Sequence, residues 1–219
     1  MFTYQVVLIF SSSICIPAII GAIRFKKIIS SFLPIVYYIW LGLISDIINI
    51  ILSHRIGNNA ISSNIYVLVE GLMLIWLFYE WNVQTRNGKH LFLIITSILL
   101  MVWVLDNFYL NPITRFNSIY RILYSLVIVF LSINHLNLCI ISEREALLKN
   151  AGFLVSLGFI IFFSYRTVIE VFYMYDFKMS VSFYNGLFDI LIIVNLVCNL
   201  IYAAAIAWIP TRQKFTLPF

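Results

Sequence analysis

The chain has 219 residues, 63% hydrophobic and 11% charged, with a formal net charge of +5 and a mean hydropathy of +1.00. So few charged side chains cannot clothe a water-soluble domain of this length, and the basic residues are scattered between apolar runs, which excludes a nucleic-acid surface. Lipid must cover most of the surface, so the expected fold is an all-α membrane protein built as a single helical bundle.

A hydrocarbon core of ~30 Å takes roughly 20 apolar residues at a helical rise of 1.5 Å. Seven runs of that kind are predicted: Tyr4 to Ile23, Ser31 to Ser53, Ser63 to Trp81, Leu91 to Tyr109, Asn117 to Ile141, Gly152 to Tyr175 and Tyr184 to Ile209. They assign 1–209 to a seven-helix transmembrane bundle and leave 210–219 as a short basic and aromatic cytoplasmic tail. No basic residue precedes the first run, whereas a cleaved signal peptide carries its positive charge first. Arg24, Lys26 and Lys27 follow it instead, which predicts a retained first helix with its N-terminus outside. Pro17 removes a backbone donor within that run and predicts a kink.

The breaks use turn chemistry at Gly57-Asn58-Asn59, Asn87-Gly88 and Asn111-Pro112, and polarity at Ser142-Glu143-Arg144-Glu145. Glu145 and Lys149 are spaced for a short helical extension, while Ser63-Asn64 and Asn117-Ser118 read as N-caps of the third and fifth helices. No loop is long enough for a soluble domain, so any output is expected within the bundle or through a partner.

Lys and Arg accumulate in cytoplasmic loops. With seven spans and the N-terminus outside, the inner segments would hold Arg24, Lys26, Lys27, Arg86, Lys89, Arg144, Lys149, Arg212 and Lys214. The outer loops would hold only Arg55, Arg115 and Lys178, an asymmetry that favours this topology with the C-terminus inside.

Ionisable side chains inside a bilayer cost about 2.5 to 3.5 kcal/mol each on insertion scales, so they face a bundle interior and mark function or an ion pair. Asp46, Glu70, Asp106, Arg121, Arg166, Glu170 and Asp189 all fall in the predicted outer half, although they come from six helices. Helical spacing joins them to polar stripes. The second helix aligns Tyr38, Gly42, Ser45, Asp46 and Asn49; the third, Tyr66 and Glu70; the fifth, Arg121, Tyr124, Ser125, Ser132 and His135. The sixth aligns Arg166, Glu170 and Tyr173, and the seventh Asn185, Asp189, Asn199 and Tyr202. Helices one and four lack such a face and are expected at the periphery.

The expected site is thus a polar cavity open to the outside, with Asp46, Asn49, Tyr66, Glu70, Asp106, Arg121, Tyr124, Arg166, Glu170 and Asp189 as candidate ligand-binding residues. A plain structural network is the competing reading, with Arg166 paired to Glu170 one turn away. The carboxylates outnumber the arginines, however, which points to a proton, a cation, an amine-bearing ligand or outside water.

Other chemistries find no support. Cys15, Cys139 and Cys198 lie inside apolar runs, as small packing residues would. A retinal Schiff base needs a lysine within the last helix, and only Lys178 before it and Lys214 after it are present. A zinc hydrolase site needs converging histidines, but His54, His90 and His135 are expected at different depths. No phosphate loop, nucleophile elbow or Cys-x-x-Cys pair is present. No cofactor is expected, although Asp46, Glu70, Asp106, Glu170 and Asp189 are suitable oxygen ligands for Mg²⁺ or another hard cation.

Ser-Asn-Ile-Tyr-Val-Leu-Val-Glu, residues 63–70, and the ending from Trp208-Ile209-Pro210 to Phe219 resemble small uncharacterised seven-helix membrane proteins of Bacteroidota. The resemblance spans the chain and implies a multi-pass protein of a bacterial inner membrane; it carries no activity. The leading expectation is a sensor or receptor-like subunit that binds a small cationic or polar ligand and signals through a separate partner. A proton- or cation-coupled transporter and a lipid-modifying enzyme are the alternatives.

Overall fold

The computed structural model describes residues 4–82, 88–142, 147–175 and 180–211. Seven helices are long and apolar enough to cross a membrane, and no strand occurs among the described residues. Helix α1 (4–24) is two helical segments, Tyr4–Ser11 and Cys15–Arg24, joined by a tighter 3₁₀ turn at Ser12–Ile14. Pro17 accounts for the turn: its ring lacks an N–H and crowds the carbonyl four residues back, at Ser13.

The other helices are α2 (Leu33–Ile56), α3 (Ala60–Asn82), α4 (Gly88–Val104, continued as a π-helical turn over Leu105–Leu110), α5 (Ser118–Ser142), α6 (Ala151–Tyr175) and α7 (Val181–Trp208). The boundaries follow local chemistry. Gly57, at φ 72°, ends α2 in the left-handed conformation, its N–H donating to the Ser53 carbonyl. Asn58 Oδ1 accepts from the Ala60 N–H at 2.9 Å and starts α3 there, so Ser63 and Asn64 lie inside the helix and not at its cap. Asn64, 1% exposed, instead donates to the Ile113 and Arg115 carbonyls and ties down the α4–α5 loop. Ser180 Oγ caps α7 by accepting from the Phe183 N–H. Of the Glu145–Lys149 extension, Leu147–Lys149 form a 3₁₀ turn while Glu145 lies outside the described residues, as does the basic-aromatic tail after Thr211.

Contacts run from α1 to α2, α2 to α3, α3 to α5, α5 to α6, α6 to α7 and back to α1, closing a ring of six helices. Helix α4 packs outside that ring against α3 and α5, at the periphery as its sequence suggests. Helix α1 is not peripheral: it packs against α2 and α7, and its buried Ser13 Oγ accepts from Asn199 Nδ2 at 2.8 Å.

Aromatic rings fill the middle of the ring. Phe159 lies in edge contact with Tyr38 (5.7 Å between centroids), Phe78 (6.1 Å) and Phe163 (5.9 Å), and Tyr202 packs beside it at 5.5 Å. Beyond this layer, His135 stacks on Trp81 at 4.2 Å, and Arg24 donates to the Ile206, Ala207 and Ile209 carbonyls at the end of α7. A cation there satisfies the orphan carbonyls and the negative end of the helix dipole. Isoleucines such as Ile9, Ile23, Ile50 and Ile98 stand exposed on the outer surface, the pattern of a multi-pass membrane protein.

Candidate functional site

On the other side of the aromatic layer, the helix ring encloses a cavity of about 880 Å³. Its charged lining comprises Asp46 of α2, Glu70 of α3, Arg121 of α5, Arg166 and Glu170 of α6, and Arg115 of the α4–α5 loop. Six of the ten candidate residues named from the sequence line this space: Asp46, Tyr66, Glu70, Arg121, Arg166 and Glu170.

Glu70 is the centre of the polar network. It is 1% exposed and takes a 2.8 Å ion pair from Arg166 across the ring, together with hydroxyl donations from Tyr66 at 3.0 Å and Tyr124 at 2.5 Å. Tyr124 therefore stands behind the wall and orients the carboxylate. Arg166 also lies over the Tyr124 and Phe162 rings at 5.5 and 5.9 Å, a cation–π geometry that favours its charge. The pairing of Arg166 with Glu170 one turn away does not form: Arg166 reaches Glu70 instead. Glu170 accepts from Ser118 Oγ at 2.6 Å and lies 3.7 Å from Arg121, whose guanidinium also donates to Ser63 Oγ and Asn64 Oδ1. Two cross-helix pairs thus replace the local one, because the ring brings α3 against α5 and α6 face to face with it.

The remaining candidates have other duties. Asp106 is fully buried in the π-helical turn, where its carboxylate accepts from the Tyr120 N–H at 2.8 Å and Asn111 Nδ2 at 3.1 Å. It caps the first turn of α5 from a neighbouring helix and does not line the cavity. Asp106→Asn keeps the volume but loses the charge at the helix N-terminus, and is expected to cost about 1 kcal/mol by equilibrium unfolding in micelles, without altering ligand binding. Asn49 lies off the wall with its amide on Ser45 Oγ. Asp189 is also off it: it follows Phe188, which lines the cavity, by about 100° of helix rotation and is half-buried.

The charge excess inferred from the sequence is accordingly redistributed. Glu70 and Glu170 are matched by Arg166 and Arg121, and Asp106 by a helix terminus. Asp46 is exposed and has no ion-pair partner among the described residues. No group of three or more His, Cys, Asp or Glu among the described residues is placed to hold a metal ion, so the hard-cation site across five carboxylates does not assemble. His54 and His90 are exposed, and Cys139 and Cys198 are buried and form no disulfide, with the Cys198 thiol on the Gly158 carbonyl.

Several lining residues escaped the sequence reading. Ser11 and Ile14 come from α1, whose sequence shows no comparable polar stripe. Asn195 precedes Asn199 by four and Tyr202 by seven, so helical spacing alone would have placed it on the stripe. Arg115 belongs to a loop that Asn64 ties down and that carries no local signal, and Ser118 follows it as the first residue of α5. No protein-family model matches the chain, nor does any curated protein or solved structure, so the reading of the site rests on its geometry.

Proposed function

We propose that the protein is a membrane-embedded receptor-like subunit that binds a small molecule in the cavity within its helix ring and passes the signal to a partner. The observation that carries this reading is a space of about 880 Å³ lined by charged and aromatic groups yet stopped at one end by the Tyr38–Phe159–Tyr202 layer. A volume of several hundred Å³ with a few convergent polar groups is the usual form of a small-molecule site. A closed floor suits binding better than passage. Because the two cross-helix ion pairs link α3 with α6 and α5 with α6, a ligand that competes for either would repack the ring, the kind of discrete change a partner senses.

Two observations support a cavity that opens to the outer side of a bacterial inner membrane. Arg24, Lys26, Lys27, Lys89 and Lys149 lie at the opposite end, against Arg55 and Arg115 at the cavity end, and basic residues gather on the cytoplasmic side. The Bacteroidota resemblance points to the same membrane.

A transporter is less well supported, since His135, the inner-half group expected to continue a path, is separated from the cavity by Phe78 and Phe159. A lipid-modifying enzyme would need Arg166 or Arg121 for the phosphate, and both are engaged by glutamates. The test is reconstitution into proteoliposomes with a broad metabolite panel. Saturable binding, read as a rise in melting temperature, is expected without solute or ion flux. Saturable flux would replace the receptor reading with the transporter one.

A further inference from the structure

We infer that the ligand is an organic monocation, an amine or quaternary ammonium with an apolar body, and that Asp46 is its counterion; this rests on the cavity being a binding site. The helical lining contributes three carboxylates and two arginines, and each arginine already serves one glutamate. Among the described residues, Asp46 is left as the lining carboxylate without a protein cation. It lies ten residues before the end of α2 at Ile56, roughly 15 Å of helix. Arg115, the remaining lining cation among the described residues, belongs to the loop outside the spans and is exposed at the mouth, where water and salt screen it. Among the described residues, the charge left over on the helical lining is therefore a single negative one, and an ionised group at that depth calls for a partner.

The rest of the wall says what kind of cation. Hard divalent ions take six or more oxygens from several carboxylates or carbonyls, and no such cluster forms among the described residues. The cavity is also far larger than an ion needs. Its wall instead presents the rings of Tyr38, Tyr66, Tyr173, Tyr202, Phe162 and Phe188, the surface that recognises alkylammonium groups through cation–π attraction. The Tyr202 hydroxyl, on a residue 3% exposed, is buried without a hydrogen-bond partner, so a polar group remains to be satisfied beside this wall. An inorganic cation would leave these rings unused; an anion would face Asp46 and Glu170.

The experiment uses the full chain in detergent with 2-phenylethylamine, choline and tetraethylammonium as cationic probes, 2-phenylethanol as the neutral isostere, phenylacetate as the anion, and Mg²⁺ as the inorganic control. The cations are expected to raise the melting temperature saturably while the isostere, the anion and Mg²⁺ do not. Asp46→Asn, at an exposed position that folding does not depend on, should keep the ligand-free melting temperature and raise the half-saturating amine concentration about tenfold or more, the effect of losing a charge-assisted contact. Asp189→Asn, off the wall, should leave binding unchanged. Equal shifts from 2-phenylethanol, or unaltered amine binding in Asp46→Asn, would overturn the charge assignment and leave the cavity reading intact. No shift from any of these organic probes would overturn this inference, and only silence across the broader metabolite panel as well would remove the cavity reading.

Discussion

Replacing Glu70 with glutamine is expected to lower the stability of the bundle by about 3 to 5 kcal/mol, the cost of removing one partner from a buried ion pair. The glutamine side chain keeps the shape and can still meet the Tyr66 and Tyr124 hydroxyls, so lost packing contributes little. What is lost is the counterion of Arg166, whose side chain is 12% exposed against 1% for Glu70. Glu170 cannot substitute, because Ser118 and Arg121 hold it elsewhere. The measurement is equilibrium unfolding in mixed micelles. A double replacement, Glu70→Leu with Arg166→Leu, should lose less than Glu70→Gln alone, since two apolar groups leave no uncompensated charge. A near-neutral Glu70→Gln would mean that water already solvates Arg166, and the centre of the ring would then be wet instead of tightly paired.

That pairing marks the boundary of what the sequence could convey. Apolar runs and turn residues place all seven spans within a few residues of their structural ends, because each depends only on local hydropathy and capping. Depth is likewise local: counting residues from a helix end brings Asp46, Glu70, Arg121, Arg166 and Glu170 to one end of the bundle, and the cavity gathers those five. Rotation and neighbour choice are not local. Nothing in the spacing of Arg166 and Glu170 tells that each will prefer a partner on another helix, since the i,i+4 pair is available to both. Asp106 has the same depth as the others, yet the π-helical turn carries it to the N-terminus of α5, a contact defined by the loop 111–117. Helix α1 shows the converse error, for its serines carry no charge to announce them, and only the ring closure between α1 and α7 puts Ser11 on the wall and Ser13 against Asn199.

Gly158→Ala tests the floor of the cavity. A Cβ at this position would lie 2.5 Å from Tyr202 Cε1 and 3.1 Å from Cζ, so the phenol ring must move. It has little room: Tyr202 is 3% exposed, edge-on to Tyr38 at 6.3 Å and beside Phe159 at 5.5 Å. Alanine gains up to about 1 kcal/mol in helix propensity over glycine, but forcing extra volume into a packed core costs about 1 to 3 kcal/mol and sometimes more. The net expectation is destabilisation, with a weaker ligand response because the displaced ring belongs to the cavity wall. Two controls separate overpacking from other causes. Tyr202→Phe should not rescue Gly158→Ala, because the clash is with ring carbons, whereas Tyr202→Leu should recover much of the loss. Gly186→Ala, also helical and with nothing within 4 Å of the new Cβ, should be stabilising by up to about 1 kcal/mol. If Gly158→Ala proved as benign as Gly186→Ala, α6 and α7 would have to part easily. The aromatic layer would then be a movable gate, and the argument for a closed floor would pass to the transporter.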